Sequence, residues 1–189
     1  MRRYTASIVL AAVSALVPAC AGNGAESSSD LVRIDGIQYS RAQAAERFGN
    51  QDLHWIITQE VLDEGIPTAF TSEDKRNAAV GIRADQLQRG DDSPKLLERF
   101  ATLYRNDDRG GGSKDITGSL NGLGDFNDKA SSVDTFGRDI VLYEHANHLG
   151  CSLFVQRQKY IAELDDHDFC GLFTGNWNDK ASSVSVVGQ

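Results

Sequence analysis

The chain has 189 residues, of which 24% are charged, and a formal net charge of −8. An acidic balance argues against nucleic acid and anionic lipid as partners, because both are met by clustered basic side chains. It is compatible with a protein that binds cations, although net charge alone identifies no ligand.

The first 21 residues pair Arg2 and Arg3 with an apolar run from Ala6 to Val17, followed by small residues. That run is too short to span a bilayer and has the parts of a secretory signal peptide. Two endings remain open. Ala19-Cys20-Ala21 fits cleavage after Ala21, and Val17-Pro18-Ala19-Cys20 fits a lipobox that would leave Cys20 lipidated. The expected location is therefore secreted, or anchored to the outer face of the cytoplasmic membrane by a lipid. Loss of the leader removes Arg2 and Arg3 and takes the net charge from −8 to −10. Cys151 and Cys170 then remain as an even pair in an oxidising compartment, where a disulfide is expected. A closed loop of that size is worth roughly 3 kcal/mol in the chain-entropy model.

Residues 22–30 read as a flexible tether, and residues 31–89 as a small α+β module. Leu31–Ile34 and Ile37–Tyr39 flank Asp35-Gly36, a dipeptide suited to a type I′ hairpin turn. Ser40 and Gln43 have the spacing of a capping box. Gly49 marks the expected helix end, and Ala42, Ala45 and Phe48 form the expected packing stripe. Leu53–Ile57 and Ile66–Phe70 are strand candidates, and Thr71 or Ser72 is the expected cap of a short helix running to about Val80. Residues 90–100, beginning Gly90-Asp91-Asp92-Ser93-Pro94, read as a linker to a second domain at 101–189.

That second region is an internal repeat. Phe126-Asn-Asp-Lys-Ala-Ser-Ser-Val133 recurs as Trp177-Asn-Asp-Lys-Ala-Ser-Ser-Val184, with Gly124 and Gly175 two positions before each aromatic. Upstream, Tyr104, Gly111 and Ser113 have the same spacing as Tyr143, Gly150 and Ser152. The repeats run from about Thr102 to Phe136 and from Ile140 to Val187. The second carries twelve more residues between its tyrosine and its Asn-Asp-Lys-Ala-Ser-Ser motif. Ala101–Tyr104, Ile140–Tyr143, Ser152–Gln156 and Val184–Val187 are strand-like, with glycine-dense turns between them. Two such units predict an all-β sandwich of two Greek keys related by a pseudo-twofold.

These paired motifs resemble the βγ-crystallin superfamily, most closely its single-domain microbial members, over about Ala101–Gln189. In the second copy His148 stands where an aromatic is usual, and in the first Arg109 does. The resemblance implies two calcium sites, with aspartates exchanged between the motifs. Ser131 would share one site with Asp179, and Ser182 the other with Asp128. The backbone carbonyls of Arg105 and Glu144 are further ligands in this reading, and Asn127 and Asn178 shape the loops. Carboxylate, hydroxyl and carbonyl oxygens are what calcium takes, six to eight of them at about 2.3–2.6 Å.

Other groups read as structural. His145 and His148 belong to a hairpin; Asp165, Asp166 and Asp168 with His167 form a solvated loop; Phe126 and Trp177 are core residues. No metalloprotease helix motif, nucleophile elbow or phosphate-binding glycine loop occurs, so a non-enzyme is expected. Three functions stand: a calcium-stabilised exported module, an inhibitor of an extracellular metalloproteinase, or a cell-surface interaction module. The inhibitor reading rests on similarity to actinobacterial metalloproteinase inhibitors, and its first candidate contact loop is Ile161–Asp168.

Overall fold

The computed structural model describes residues 30–87, 98–172 and 175–188. The leader, the tether ahead of Asp30 and Gly90–Pro94 lie outside them. No helix among the described residues is long and apolar enough to cross a membrane.

The N-terminal segment begins with an antiparallel hairpin, β1 (Leu31–Ile34) and β2 (Ile37–Ser40). Asp35 and Gly36 both have positive φ, 51° and 79°, as a type I′ turn requires. Helix α1 (Arg41–Phe48) starts in the expected capping box: Gln43 N–H donates to Ser40 Oγ, and Ser40 N–H donates to Gln43 Oε1. Its buried face is Ala44 and Phe48, whereas Ala42 is exposed, so the expected stripe is shifted. Gly49 ends the helix in right-handed conformation, φ −61°. Glycine is needed there for space, since a Cβ would run into the Ala45 carbonyl oxygen.

Strand β3 (His54–Ile57) leads to α2 (Gln59–Glu64), a helix the sequence reading did not anticipate. Its signals are local: Thr58 Oγ1 accepts from Val61 N–H at 3.2 Å, and Gly65 closes it in the left-handed region. Strand β4 (Thr68–Phe70) precedes α3 (Glu73–Ala79), which Ser72 caps.

In the repeat region the strands are β5 (Ala101–Tyr104), β6 (Ser113–Ile116), β7 (Ser132–Thr135), β8 (Ile140–His145), β9 (Leu149–Val155), β10 (Tyr160–Ile161) and β11 (Ser183–Val186). They form two sheets. One has the order β10-β7-β5-β6, so β10 of the second repeat completes the sheet of the first. The exchange is mutual. Ile161 pairs with Val133, and Leu120 of the first repeat bridges Val184 of the second. Val133 and Val184 end the two copies of the octapeptide, so the pseudo-twofold predicted from the repeat is present at these positions.

The second sheet has the order β11-β8-β9-β3-β4-β1-β2. Its first three strands belong to the second repeat, and its last four to the N-terminal segment. The junction is parallel pairing of β3 with β9, from His54 opposite Ser152 to Ile57 opposite Val155. The N-terminal segment, read from sequence as a separate module at residues 31–89, thus continues a sheet of the Greek-key region through β1–β4. The core is continuous too. Val32, Ile34, Trp55 and Ile57 share one buried cluster with Leu103, Val133, Leu142, Leu153 and Val184. The opposite face of the long sheet buries Val141, Tyr143 and Phe154 with Ile82. Burial on both faces explains why Ile140–Tyr143 is an unbroken apolar run instead of an alternating one.

Candidate metal centre at the paired loops

The two Asn-Asp-Lys-Ala-Ser-Ser loops meet at the pseudo-twofold. Asp128 N–H donates to Ala181 O at 3.0 Å, and Asp179 N–H to Ala130 O at 2.9 Å. Each loop therefore hydrogen-bonds the other through the backbone of its aspartate. Both aspartates occupy the left-handed region, at φ 52° and 56°. Asp tolerates that conformation better than most residues, because its short side chain can bond locally. Asn127 Nδ2 donates to Asp128 Oδ2 at 2.6 Å and orients that carboxylate, the loop-shaping role read for it.

The two serines of each loop divide the work. The first donates its backbone N–H to the motif tyrosine's carbonyl, Ser131 to Tyr104 O at 2.8 Å and Ser182 to Tyr143 O at 2.9 Å. The second closes the folded hairpin upstream. Ser132 Oγ donates to Asn106 O at 2.7 Å and accepts from Arg109 N–H at 3.2 Å. Ser183 Oγ donates to His145 O at 2.6 Å and accepts from His148 N–H at 3.1 Å. Ser132 and Ser183 escaped the sequence reading as functional positions, although both copies end in a Ser-Ser doublet. The doublet is the signal, because one hydroxyl faces the hairpin and leaves the other for the loop.

The remaining hydroxyls lie among the oxygens proposed from sequence. Ser182 Oγ donates to Asp128 Oδ1 at 2.9 Å, so one exchanged pair is in contact across the pseudo-twofold. Ser131 Oγ donates to Arg105 O at 2.8 Å, which joins hydroxyl and carbonyl of the other set. Asp179 reaches that set through its backbone bond to Ala130. Each set thus has two of its three oxygens in direct contact. All are hard donors, a composition that fits calcium or magnesium and not a soft metal. Asp128 and Asp179 are exposed, while Ser131 and Ser182 are each 6% exposed. Glu144 enters the structure chiefly by its side chain, whose Oε2 lies 3.3 Å from both cysteine sulfurs.

His148 is part of the hairpin. Its ring packs edge-on against Tyr143 at 5.2 Å, and its Nε2 lies 3.2 Å from Val184 O. In the first repeat Arg109 sits over Tyr160 at 3.8 Å and pairs with Asp134 at 2.8 Å. The two departures from the aromatic pattern are thus filled by different contacts. Phe126 and Trp177 are core residues, 5% and 0% exposed.

Cys151 and Cys170 are joined as expected. The extra residues of the second repeat, expected from sequence around Ile161–Asp168 within the stretch bracketed by these cysteines, lie mostly further on. Leu123 and Leu164 are equivalent, donating to Ser182 O and Ser131 O across the pseudo-twofold. Two residues separate Leu123 from Phe126, and twelve separate Leu164 from Trp177. Ten of the twelve additional residues therefore fall after Leu164; the other two lie in the turn before β10. Ile161–Asp168 therefore lies ahead of most of the insertion; Ile161 and Leu164 are buried at 4% and 0% exposed, while Glu163, Asp165 and Asp166 between and after them are exposed. Asp165 and Asp166 are exposed as expected, but Asp168 pairs with Arg41 at 2.9 Å. The insertion proper folds back on itself through Asp168 opposite Asn176, and Phe169 meets Trp177 edge-on at 5.1 Å.

A buried polar network beside the centre also went unread. Arg76 of α3, fully buried, bonds Ser152 Oγ, Asn77 Oδ1 and Glu73 Oε1. Tyr143 OH donates to Glu73 Oε1 at 2.9 Å, and His54 Nδ1 lies 2.8 Å from Ser152 Oγ. Burial, reinforced by the Glu73 charge, pushes the Tyr143 phenol up to about 12. Burial, with the Arg76 charge second, holds His54 below its ordinary 6.5. Tyr143 and Ser152 are motif residues of the second repeat, and here they hold the N-terminal segment in place.

No family model matches the chain, and no curated protein sequence matches it significantly. Solved structures do. An archaeal βγ-crystallin is 22% identical over 48% of this chain and 100% of its own, with a TM-score of 0.41. A βγ-crystallin from Ciona intestinalis is 22% identical over 46% of this chain and 96% of its own, TM-score 0.38. A domain from Flavobacterium johnsoniae is 28% identical over 48% and 96%, TM-score 0.36. The repeat, the mutual exchange of Ile161 and Leu120, and the crossed aspartate loops are this chain's own, and with them residues 101–188 form a double Greek key, similar over about half of the chain to these βγ-crystallin structures.

Proposed function

We propose that the protein is an exported calcium-binding module in which calcium reinforces the double Greek key. The supporting observation is the Asp128–Ser182 contact across the pseudo-twofold, within loops already bonded to each other. A cation there would tie the first repeat to the second at the point where their chains exchange. With one carboxylate per site, binding in the micromolar to sub-millimolar range is expected, as for many extracellular sites. One site at ten times its dissociation constant adds roughly 1.4 kcal/mol, or about 3–6 °C in Tm for a chain of this size.

The test is a thermal melt of residues 31–189 in EDTA and in millimolar calcium. The midpoint should rise with calcium, and Asp128→Asn with Asp179→Asn should abolish the rise. Asn keeps the left-handed turn while removing the charge. An unchanged midpoint in the parent protein sinks the proposal, and a rise undiminished in the double variant sinks the site assignment.

A further inference from the structure

The disulfide that joins Cys151 of β9 to Cys170 of the insertion has a carboxylate beside it. Glu144 Oε2 lies 3.3 Å from each of the two sulfurs. A disulfide sulfur carries no proton, so neither contact is a hydrogen bond while the bridge is closed. The same oxygen otherwise has the Cys151 N–H at 3.5 Å and His145 Nε2 at 3.8 Å, both longer than a good hydrogen bond. Gly150 leaves it room, since a Cβ there would lie 2.7 Å from Oε2. The fold thus brings a carboxylate onto two sulfurs that offer it no donor in the oxidised state.

Opening the bridge changes what these three groups can do. Reduction by a dithiol breaks the S–S bond. Two electrons and two protons convert the sulfurs to thiols, and the dithiol becomes a disulfide. Cys151 Sγ, Cys170 Sγ and Glu144 Oε2 already lie within 4.8 Å of one another. In a tetrahedral site with Zn–S bonds of about 2.3 Å and a Zn–O bond of about 2.0 Å, sulfur and oxygen stand about 3.5 Å apart. That is close to the separation already present. Two thiolates with a carboxylate suit a zinc-class ion, whereas calcium takes oxygen alone. The Glu144 side chain is 27% exposed and, with Cys170, lines a cleft beside Gly49 and Asp52, so an ion and a water for its fourth position can enter from solvent.

We propose that reduced Cys151 and Cys170, together with the Glu144 side chain, bind one zinc-class divalent cation, which replaces the disulfide as the tie between β9 and the insertion. Binding releases the two thiol protons as both sulfurs become thiolates. The proposal is independent of the calcium reading, in which Glu144 contributes only its backbone carbonyl.

The test uses the full chain carrying Cys20→Ser, which leaves Cys151 and Cys170 as its two thiols. It is reduced with a phosphine, which brings no thiol of its own, and titrated without oxygen with cobalt(II) as the probe for zinc. A near-ultraviolet thiolate-to-cobalt charge-transfer band and the strong visible bands of a tetrahedral ion are expected, saturating at a single equivalent and erased by zinc. Cobalt held by the oxygen loops gives no such charge-transfer band, and the oxidised protein should show none. Glu144→Gln keeps the shape and both thiols. It should bind at least about tenfold more weakly, since loss of even an indirect partner of a metal costs that much. The proposal is overturned if the reduced parent shows no charge-transfer band, if the oxidised protein gives the same bands, or if Glu144→Gln binds as tightly. Should reduction unfold the chain, near-ultraviolet circular dichroism decides. Zinc should then restore the folded signal of the parent, and Glu144→Gln should need at least about tenfold more zinc. No recovery, or equal recovery in the variant, overturns it.

Discussion

At the scale of single residues, the Ser-Ser doublets separate two roles that one motif conceals. Ser132 and Ser183 each satisfy a hairpin carbonyl and a hairpin N–H, and both are 0% exposed. Replacing either by Ala removes a donor and an acceptor from buried partners, at about 1–3 kcal/mol. Ser131 and Ser182 each donate one hydroxyl bond, toward a carbonyl and a carboxylate of the loop region. Ser132→Ala and Ser183→Ala should therefore destabilise more than Ser131→Ala and Ser182→Ala in urea melts without calcium. With calcium the order should narrow, because only the second pair also loses the ion's contribution. Equal losses from all four variants in EDTA would show that the doublet does not divide in this way.

At the scale of elements, the insertion after Leu164 is held by three kinds of bond. The disulfide ties Cys170 to β9, Leu53 N–H donates to Cys170 O at 2.6 Å, and Asp168 pairs with Arg41. The insertion therefore spans the junction between the second repeat and the N-terminal segment. Cys151→Ser with Cys170→Ser should cost about 3 kcal/mol in the chain-entropy model, read as a lower urea midpoint. Hydrogen exchange should quicken first at the Leu53 and Phe169 amides, whose acceptors lie in or beside the insertion. Unchanged exchange at both would place the anchorage of this hairpin elsewhere.

At the scale of the whole molecule, the seven-stranded sheet makes one body of two segments. Without residues 31–87, β9 would present an unpaired edge, and the Trp55 and Ile57 side chains would leave the common core. A bare apolar edge is a template for pairing with another chain. Ser152 would also lose the Arg76 and His54 partners that now satisfy its buried hydroxyl. The fragment 98–189 should accordingly melt lower than 31–189 or self-associate, by calorimetry and size exclusion. A monomeric fragment with the same midpoint would show that the N-terminal segment only rests against the Greek keys.

The sequence by itself determined whatever depends on local geometry or on self-similarity. The Asp35-Gly36 turn needs two positive φ values, and the Ser40–Gln43 box needs only its own spacing. The octapeptide copies determined the double Greek key, because identical motifs fold alike and pack against each other about a pseudo-twofold. The candidate oxygens were implied by the family resemblance that the same copies carry. Helix α2 was legible in Thr58 and Gly65 but too short to show a period. Only the tertiary structure decided that β3 lies along β9, since parallel partners share no turn and leave no spacing signal between residues about a hundred positions apart. The same holds for Arg76, whose burial depends on Ser152 of β9 as well as on Glu73 and Asn77 of its own helix. The insertion was visible as twelve extra residues, yet its position required the equivalence of Leu123 and Leu164. That equivalence lies in hydrogen bonds to the opposite repeat, which no residue name records.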